Sequence, residues 1–365
     1  MNIRDTVLPV LGPLGDQEDL EEIKDSLFSG WWGKGPKVEL FEQKFAELVG
    51  SKYAIAVTSN SHGQDLVVKA LGLKDVDIIN PTMSFITTAI VPLWNNCTSN
   101  IVDIDEKTLC LDPEDVKRSL KPDTKMVIAV NMSGIPAPID VIRSFYDGFI
   151  LEDCAHSCYT KGAGTKGDVA VWSFQAVKTL PMGDGGMITT NDETLYNKMK
   201  DMTWFGIPST WSRVNSGKYS WDYEVDTLGY KCYMIDLQAA LGLSQLKKLS
   251  HNLDFRKYVQ AEYNERLSSH VKRPFYSDTV QYYIARVPKI IRNQLINYLA
   301  HKKIHTSVHF KPLHKHPLLK QNRNYAIADT IWESFITLPC HAGMSKEDVD
   351  YVIYWVNKYF SEVYR

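Results

Sequence analysis

With 365 residues, a formal net charge of −2, 44% hydrophobic and 23% charged residues, the chain has the balance of an ordinary globular protein and can bury a large core. That charge offers no attraction for nucleic acid or an anionic membrane. Neither an apolar leader after Met1-Asn2-Ile3-Arg4-Asp5 nor a run of about 18 apolar residues occurs, so a cytoplasmic protein with small-molecule partners and no metal is expected.

Leu20, Ile23 and Leu27 at helical spacing predict a first helix from Asp16 to Ser29, stopped by Gly30, and Val38, Phe41, Phe45 and Leu48 predict a second before Gly50. Between them, Trp31-Trp32-Gly33-Lys34-Gly35-Pro36 is a loop whose tryptophans either pack on the core or line a ligand site. Short apolar runs follow at Tyr53–Val57, Val76–Ile79, Met126–Val130 and Phe149–Leu151, alternating with helical segments such as Gln64–Leu71. This rhythm predicts an α/β fold with a mostly parallel central sheet covered by helices, whose ligands gather beyond the carboxyl ends of the strands. Ser59-Asn60-Ser61, Pro81-Thr82, Asn131 and Asp153 occupy those positions.

The small-residue stretch Asp236–Leu249 and the charged stretch after it to Leu267 both read as helical. The last hundred residues mix strands such as Thr279–Val287 with helices such as Lys346–Tyr359. Two domains are predicted: residues 1–248, including an N-terminal arm, and a smaller α+β unit over residues 249–365. The six cysteines (Cys97, Cys110, Cys154, Cys158, Cys232 and Cys340) contain no CxxC pair, and reduced, buried thiols are expected.

The chemistry concentrates between Leu151 and Thr190. Leu151-Glu152-Asp153 ends an apolar run; the strand Val169–Phe174 carries Ser173 near its end; Lys178 follows, then a Gly183-Asp184-Gly185-Gly186 turn leads into Met187–Thr190. A protein that holds pyridoxal phosphate needs an amine, an acid for the pyridine nitrogen and a cradle for the phosphate. Asp153 can be the acid and Ser173 a phosphate ligand. Lys178 can be the amine, because a lysine enclosed between two strands is desolvated and loses proton affinity. Ser59-Asn60-Ser61 reads either as a simple helix cap or as part of the phosphate cradle. Phe85 and His156 can sandwich the ring or belong to the core.

These residues together resemble the DegT/DnrJ/StrS group of sugar aminotransferases. The resemblance runs through Ser29-Gly30-Trp31, Gly35–Glu42, Glu152-Asp153-Cys154-Ala155-His156, Ser173-Phe174 to Lys178, Gly183–Gly186, Met234–Gly242 and His309-Phe310-Lys311-Pro312-Leu313-His314, nearly the whole chain. It implies the aspartate aminotransferase fold, that of a fold type I pyridoxal phosphate enzyme, and a homodimer with shared active sites. It also implies roles: Lys178 as internal aldimine and proton shuttle, Asp153 on the pyridine nitrogen, His156 and Phe85 against the ring, and Ser173 with the Asn60 and Ser61 amides on the phosphate. Trp31, His309 and Lys311 are placed towards the sugar.

Three positions depart from the group's pattern. Asn60 stands where glycine is usual, Asp184 where glutamate is usual, and Lys231 falls where an asparagine often reaches the partner subunit's phosphate. The activity implied is transfer of an amino group, from glutamate, to a nucleotide-linked keto-sugar. The presence of Lys178 separates the chain from relatives that carry histidine and dehydrate, and Met234-Ile235-Asp236 looks more like the members acting at C4 than at C3. Rival readings are a cofactor-binding regulator without activity and a nucleotide-dependent oxidoreductase; the second lacks a GxGxxG after the first strand.

Overall fold

The computed structural model describes residues 1–208, 223–273 and 279–364. Its centre is a seven-stranded sheet of β1 (Tyr53–Val57), β2 (Asp77–Pro81), β3 (Thr98–Val102), β4 (Thr124–Val130), β5 (Phe149–Asp153), β6 (Val169–Ser173) and β7 (Gly186–Thr190), in the order β1-β7-β6-β5-β4-β2-β3. All run parallel except β7, which is antiparallel to both its neighbours, β1 and β6. The mostly parallel sheet is as expected, but β3 was not read from the sequence, and β2 starts and ends later than its apolar run.

Side chains alternate across the sheet as the two-residue strand period requires. On one face Ala54, Ala56, Ala170, Trp172 and Met187 pack against Phe41 and Phe45 of the Pro36–Val49 helix. On the other, Ile55, Val57, Val169, Val171 and Ile188 pack against Leu66 and Val67 of the Asn60–Ala70 helix. Burial on both faces explains why these strands read as continuous apolar runs. The edge strand β1 is covered by the Cys232–Met234 segment, through Thr58 N–H to the Cys232 carbonyl at 2.8 Å and a bridge between Val57 and Tyr233.

The first two helices match their predicted limits. Asp16 caps the first through the amides of Glu18 and Asp19, and Gly30 (φ 81°) and Gly50 (φ 72°) end the two in the left-handed conformation that glycine adopts without strain. All six cysteines are buried and free. No described helix is long and apolar enough to cross a membrane.

The two helical stretches predicted from Asp236 onwards form one 31-residue helix, Asp236–Arg266, which runs unbroken through the expected joint at 248/249. Its first half gives Ala239, Leu243, Leu249 and Leu253 to the cluster under the sheet, and its second half gives Val259 and Tyr263 to the core of the C-terminal unit. That unit contains β8 (Tyr283–Arg286) antiparallel to β9 (Phe335–Leu338), flanked by the helices Lys289–His301 and Lys346–Val363. Only the end of the predicted Thr279–Val287 strand is paired. Near the amino terminus, Leu8 joins the cluster of Val259 and Tyr263 and exchanges backbone hydrogen bonds with Lys303 and His305, and Arg4 pairs with Asp348.

Candidate active site

Because β1, β2, β5 and β6 point the same way, the segments after them meet at one edge of the sheet. Ser59-Asn60-Ser61, Ser84-Phe85, Asp153 to His156, and Ser173 to Lys178 line one cleft of about 440 Å³, closed on its far side by Tyr282, His309 and Phe310 from the C-terminal unit. Asp153, Lys178, Ser173, His156, Phe85, Asn60, Ser61 and His309 are therefore brought together. Trp31, Lys231 and Lys311 do not line the cleft; all three are exposed, and the Lys231 ammonium lies 5.7 Å above the Trp204 ring.

Asp153 is buried at the end of β5. One carboxylate oxygen accepts from the Ala155 amide at 3.0 Å and from Asn60 Nδ2 at 3.1 Å, and the other accepts from Gln64 Nε2 at 2.9 Å. Burial pushes its proton affinity up, opposed by the Ala155 amide, the Lys178 charge, and the Asn60 and Gln64 side chains.

Lys178 sits in the loop between β6 and β7. Ties from Phe174 N–H to Gly185 O (2.9 Å), Ala176 N–H to Gly183 O (2.9 Å) and Lys178 N–H to Gln175 O (2.8 Å) hold that loop. Among the described residues the ammonium has one hydrogen bond, a long one of 3.5 Å to the Tyr282 hydroxyl. Burial lowers its pKa from 10.5 to about 8, with Asp153 pulling upwards and Arg256 adding to the fall. An amine that loses its proton near pH 8 is a usable nucleophile and base at physiological pH. Capture of pyridoxal phosphate by apoprotein is accordingly expected to accelerate about tenfold per pH unit up to about pH 8 and to level off above it. Stopped-flow absorbance measures this; a rate still climbing at pH 10 would mean that Lys178 keeps an ordinary lysine's proton affinity.

His156 is buried, its Nε2 3.4 Å from the Tyr282 hydroxyl and its ring stacked 6.0 Å from Phe310. Burial, then the Lys178 charge and the neighbouring His309 imidazole, hold it well below the usual histidine range. His309 stacks 4.0 Å from Tyr282, hydrogen-bonds Thr337, and is lowered to about 3 by burial and by Lys178. Both imidazoles are neutral at physiological pH, which leaves Lys178 as the cleft's titrating base. Phe85 is exposed and its ring lies 6.3 Å from that of Phe310.

The Asn60–Ala70 helix starts four residues earlier than predicted, with Ser59 as its cap, accepting from the His62 amide at 3.2 Å. Its amino end lines the cleft with Ser61, Ser84, Thr87, Thr88 and Ser173, where the Ser61 hydroxyl is bonded to Thr87 and that of Ser84 to Thr88, a polar set suited to a phosphate. The glycine that allows the close approach here is Gly186: a Cβ on it would stand 2.5 Å from Ser59 C and 2.6 Å from Asn60 N. Asn60 is thus accommodated because the facing strand has no side chain. Gly186→Ala is expected to cost about 1–3 kcal/mol of stability and to weaken cofactor binding. Thermal melting and a cofactor titration test this, and wild-type values in both would show that the backbone has room.

Sequence reasoning missed Tyr282, Gln64 and Phe310 as parts of this site. Gln64 carried a signal, a second amide four residues after Asn60 on the same helix face. Tyr282 carried none. The motif Met234-Ile235-Asp236 lies off the cleft: Met234 is buried, and Asp236 accepts from the backbone amides of Lys37 and Val38 at the start of the Pro36–Val49 helix.

The model of the DegT/DnrJ/EryC1/StrS aminotransferase family matches residues 13–357. The chain belongs to this family. It is 36% identical to the spore coat polysaccharide biosynthesis protein SpsC of Bacillus subtilis (strain 168), with 96% of each chain covered. Among solved structures it resembles the aminotransferase TlmJ from Streptoalloteichus hindustanus (26% identity, TM-score 0.91, 98% of this chain and 100% of that one). It also resembles the putative sugar aminotransferase Spr1654 from Streptococcus pneumoniae in its PMP form (26%, TM-score 0.90, 97% and 99%). The aspartate aminotransferase-like fold expected from the sequence is thereby found, and so is the family's dependence on pyridoxal phosphate. The residues of this cleft fit that cofactor: a buried carboxylate with an acceptor position left open, a desolvated amine, and hydroxyls at a helix amino end where Gly186 keeps the space clear.

Proposed function

We propose that this family member moves an amino group from L-glutamate to a nucleotide-linked keto-sugar in two half-reactions, acting at C4 of the sugar. The observation that carries the reading is the meeting of Asp153 and Lys178 in one cleft, with the Lys178 amine tuned to about 8. Pyridoxal phosphate, when bound, takes up the electron pair released at the substrate carbon. Asp153 holds the proton on the ring nitrogen. Lys178 Nζ would hold the cofactor and, with the amino acid in place, would carry the proton at the substrate carbon.

Ser173 and the amides of Asn60 and Ser61 take the phosphate, and Phe85 and His156 flank the ring. His309, already in the wall of the cleft, meets the sugar together with Trp31 and Lys311. Lys231 serves the phosphate of the partner subunit in a cytoplasmic homodimer. The sugar specificity is supported by the names of the relatives, one a polysaccharide biosynthesis protein and one a putative sugar aminotransferase. The choice of C4 rests on the resemblance of Met234-Ile235-Asp236 alone.

Incubation of the purified protein with glutamate and a panel of nucleotide-linked 3-keto and 4-keto sugars, with the product identified by mass and NMR, tests the proposal. A protein that binds pyridoxal phosphate yet makes neither 2-oxoglutarate nor an amino sugar is a regulator, and the proposal fails.

A further inference from the structure

Asn60 and Gln64 turn inward to Asp153 instead of outward to a ligand, and their geometry assigns them a task. We propose that they form an amide clamp that keeps Asp153 ionised and directs its remaining acceptor position at the ring nitrogen of pyridoxal phosphate. Both are positioning residues. The inference rests on the role given above to Asp153 and adds what makes that role possible in a buried position.

The two amides lie one helical turn apart on the Asn60–Ala70 helix, which packs on β6 and β7, and both reach Asp153 at the end of β5. Between them Gly63 lets the helix approach the sheet: a Cβ there would stand 2.7 Å from Val171 Cγ1. At that separation short amide side chains reach a carboxylate on the neighbouring strand end.

Counting donors and acceptors fixes the arrangement. The two hydrogens of Asn60 Nδ2 go to Asp153 Oδ1 (3.1 Å) and the Val171 carbonyl (3.0 Å), and its oxygen accepts from Gln64 Nε2 at 2.7 Å. Gln64 Nε2 spends its second hydrogen on Asp153 Oδ2 at 2.9 Å. Rotating the Asn60 amide by half a turn would set its oxygen against a carbonyl and a carboxylate, so one orientation is enforced. With the Ala155 amide, Asp153 accepts three N–H groups, and a carboxylate offers about four acceptor positions. The one left over belongs to Oδ2, and Asp153 lines the cleft.

The chemical type of the clamp matters as much as its shape. Burial favours the neutral acid, and N–H donors favour the ion. Amides do so without bringing a charge of their own. A lysine or arginine in their place would hold the carboxylate equally well and neutralise the charge needed to keep a proton on the pyridine ring.

The test is to load the protein with pyridoxal phosphate carrying 15N at the ring nitrogen and to follow its NMR shift with pH, together with the cofactor Kd, in the parent, Gln64→Met and Asn60→Ser. The clamp predicts that the variants lose the ring proton about one pH unit earlier than the parent and bind cofactor roughly tenfold more weakly. Parent-like 15N titration and Kd with only a lowered melting temperature would reduce the clamp to internal packing and overturn the proposal. Asn60→Ser, which shortens one arm only, carries the same test if Gln64→Met does not fold. Asp153→Asn separates the two claims: if it leaves the ring nitrogen protonated, the role of Asp153 is wrong, whereas a deprotonated ring there with unchanged clamp variants faults the clamp alone.

Discussion

Lys178→Ala is expected to abolish transamination, with a loss of at least about 10⁴-fold, because on the proposed function it removes both the amine that would hold the cofactor and the base that would move the substrate proton. The fold should survive. Among the described residues the ammonium makes one hydrogen bond, at 3.5 Å to Tyr282, and its burial already opposes its charge, so deleting it leaves no strongly held partner exposed there. Tyr282 still has His156 beside its hydroxyl at 3.4 Å. The variant should bind pyridoxal phosphate through the remaining contacts, with an altered visible spectrum, and added small primary amines should restore part of the rate. Multiple turnovers by Lys178→Ala without added amine would remove Lys178 from the reaction.

Asp153→Asn is expected to lower the rate by about 10²–10³-fold while the protein stays folded. The exchange conserves shape but replaces one oxygen with an NH₂. Oδ1 already accepts two N–H groups and Oδ2 accepts one, so the NH₂ goes to the Oδ2 side and faces the Gln64 donor. That mismatch costs about 1–3 kcal/mol and lowers the melting temperature by several degrees. The larger effect follows from the proposed role of Asp153 and is electronic: the cofactor's ring nitrogen would lose its counter-ion. Steady-state kinetics and differential scanning calorimetry read the two effects separately, and unchanged kinetics would mean that another group protonates the ring.

Much of this site was legible because its key groups lie beside features with local signatures. Asp153 and Ser173 end apolar strands, Lys178 is enclosed by a strand and a glycine turn, and Gly30 and Gly50 mark helix ends, all of which depend on residues a few positions away. The reversed direction of β7 was not legible, since an apolar run of five residues carries no record of which way its neighbours point. Tyr282, His309 and Phe310 reach the cleft from over a hundred residues beyond Lys178, and no periodicity encodes such a contact. Asn60 was read as a bulky stand-in for a phosphate-binding glycine. In the structure its side chain bonds Asp153, the Val171 carbonyl and Gln64, and the room beside its backbone is left by Gly186, on a strand remote in sequence.

The antiparallel β7 gives the loop from Phe174 to Gly185 a property that a parallel crossover lacks. Both its ends are fastened to adjoining strands, Ser173 opposite Gly186, so the loop closes over a short distance and its ordering is settled when the sheet forms. Lys178 then spends little conformational freedom on meeting its substrate. In the proposed reaction, an amine on a loop fastened at both ends would keep its place from one cycle to the next.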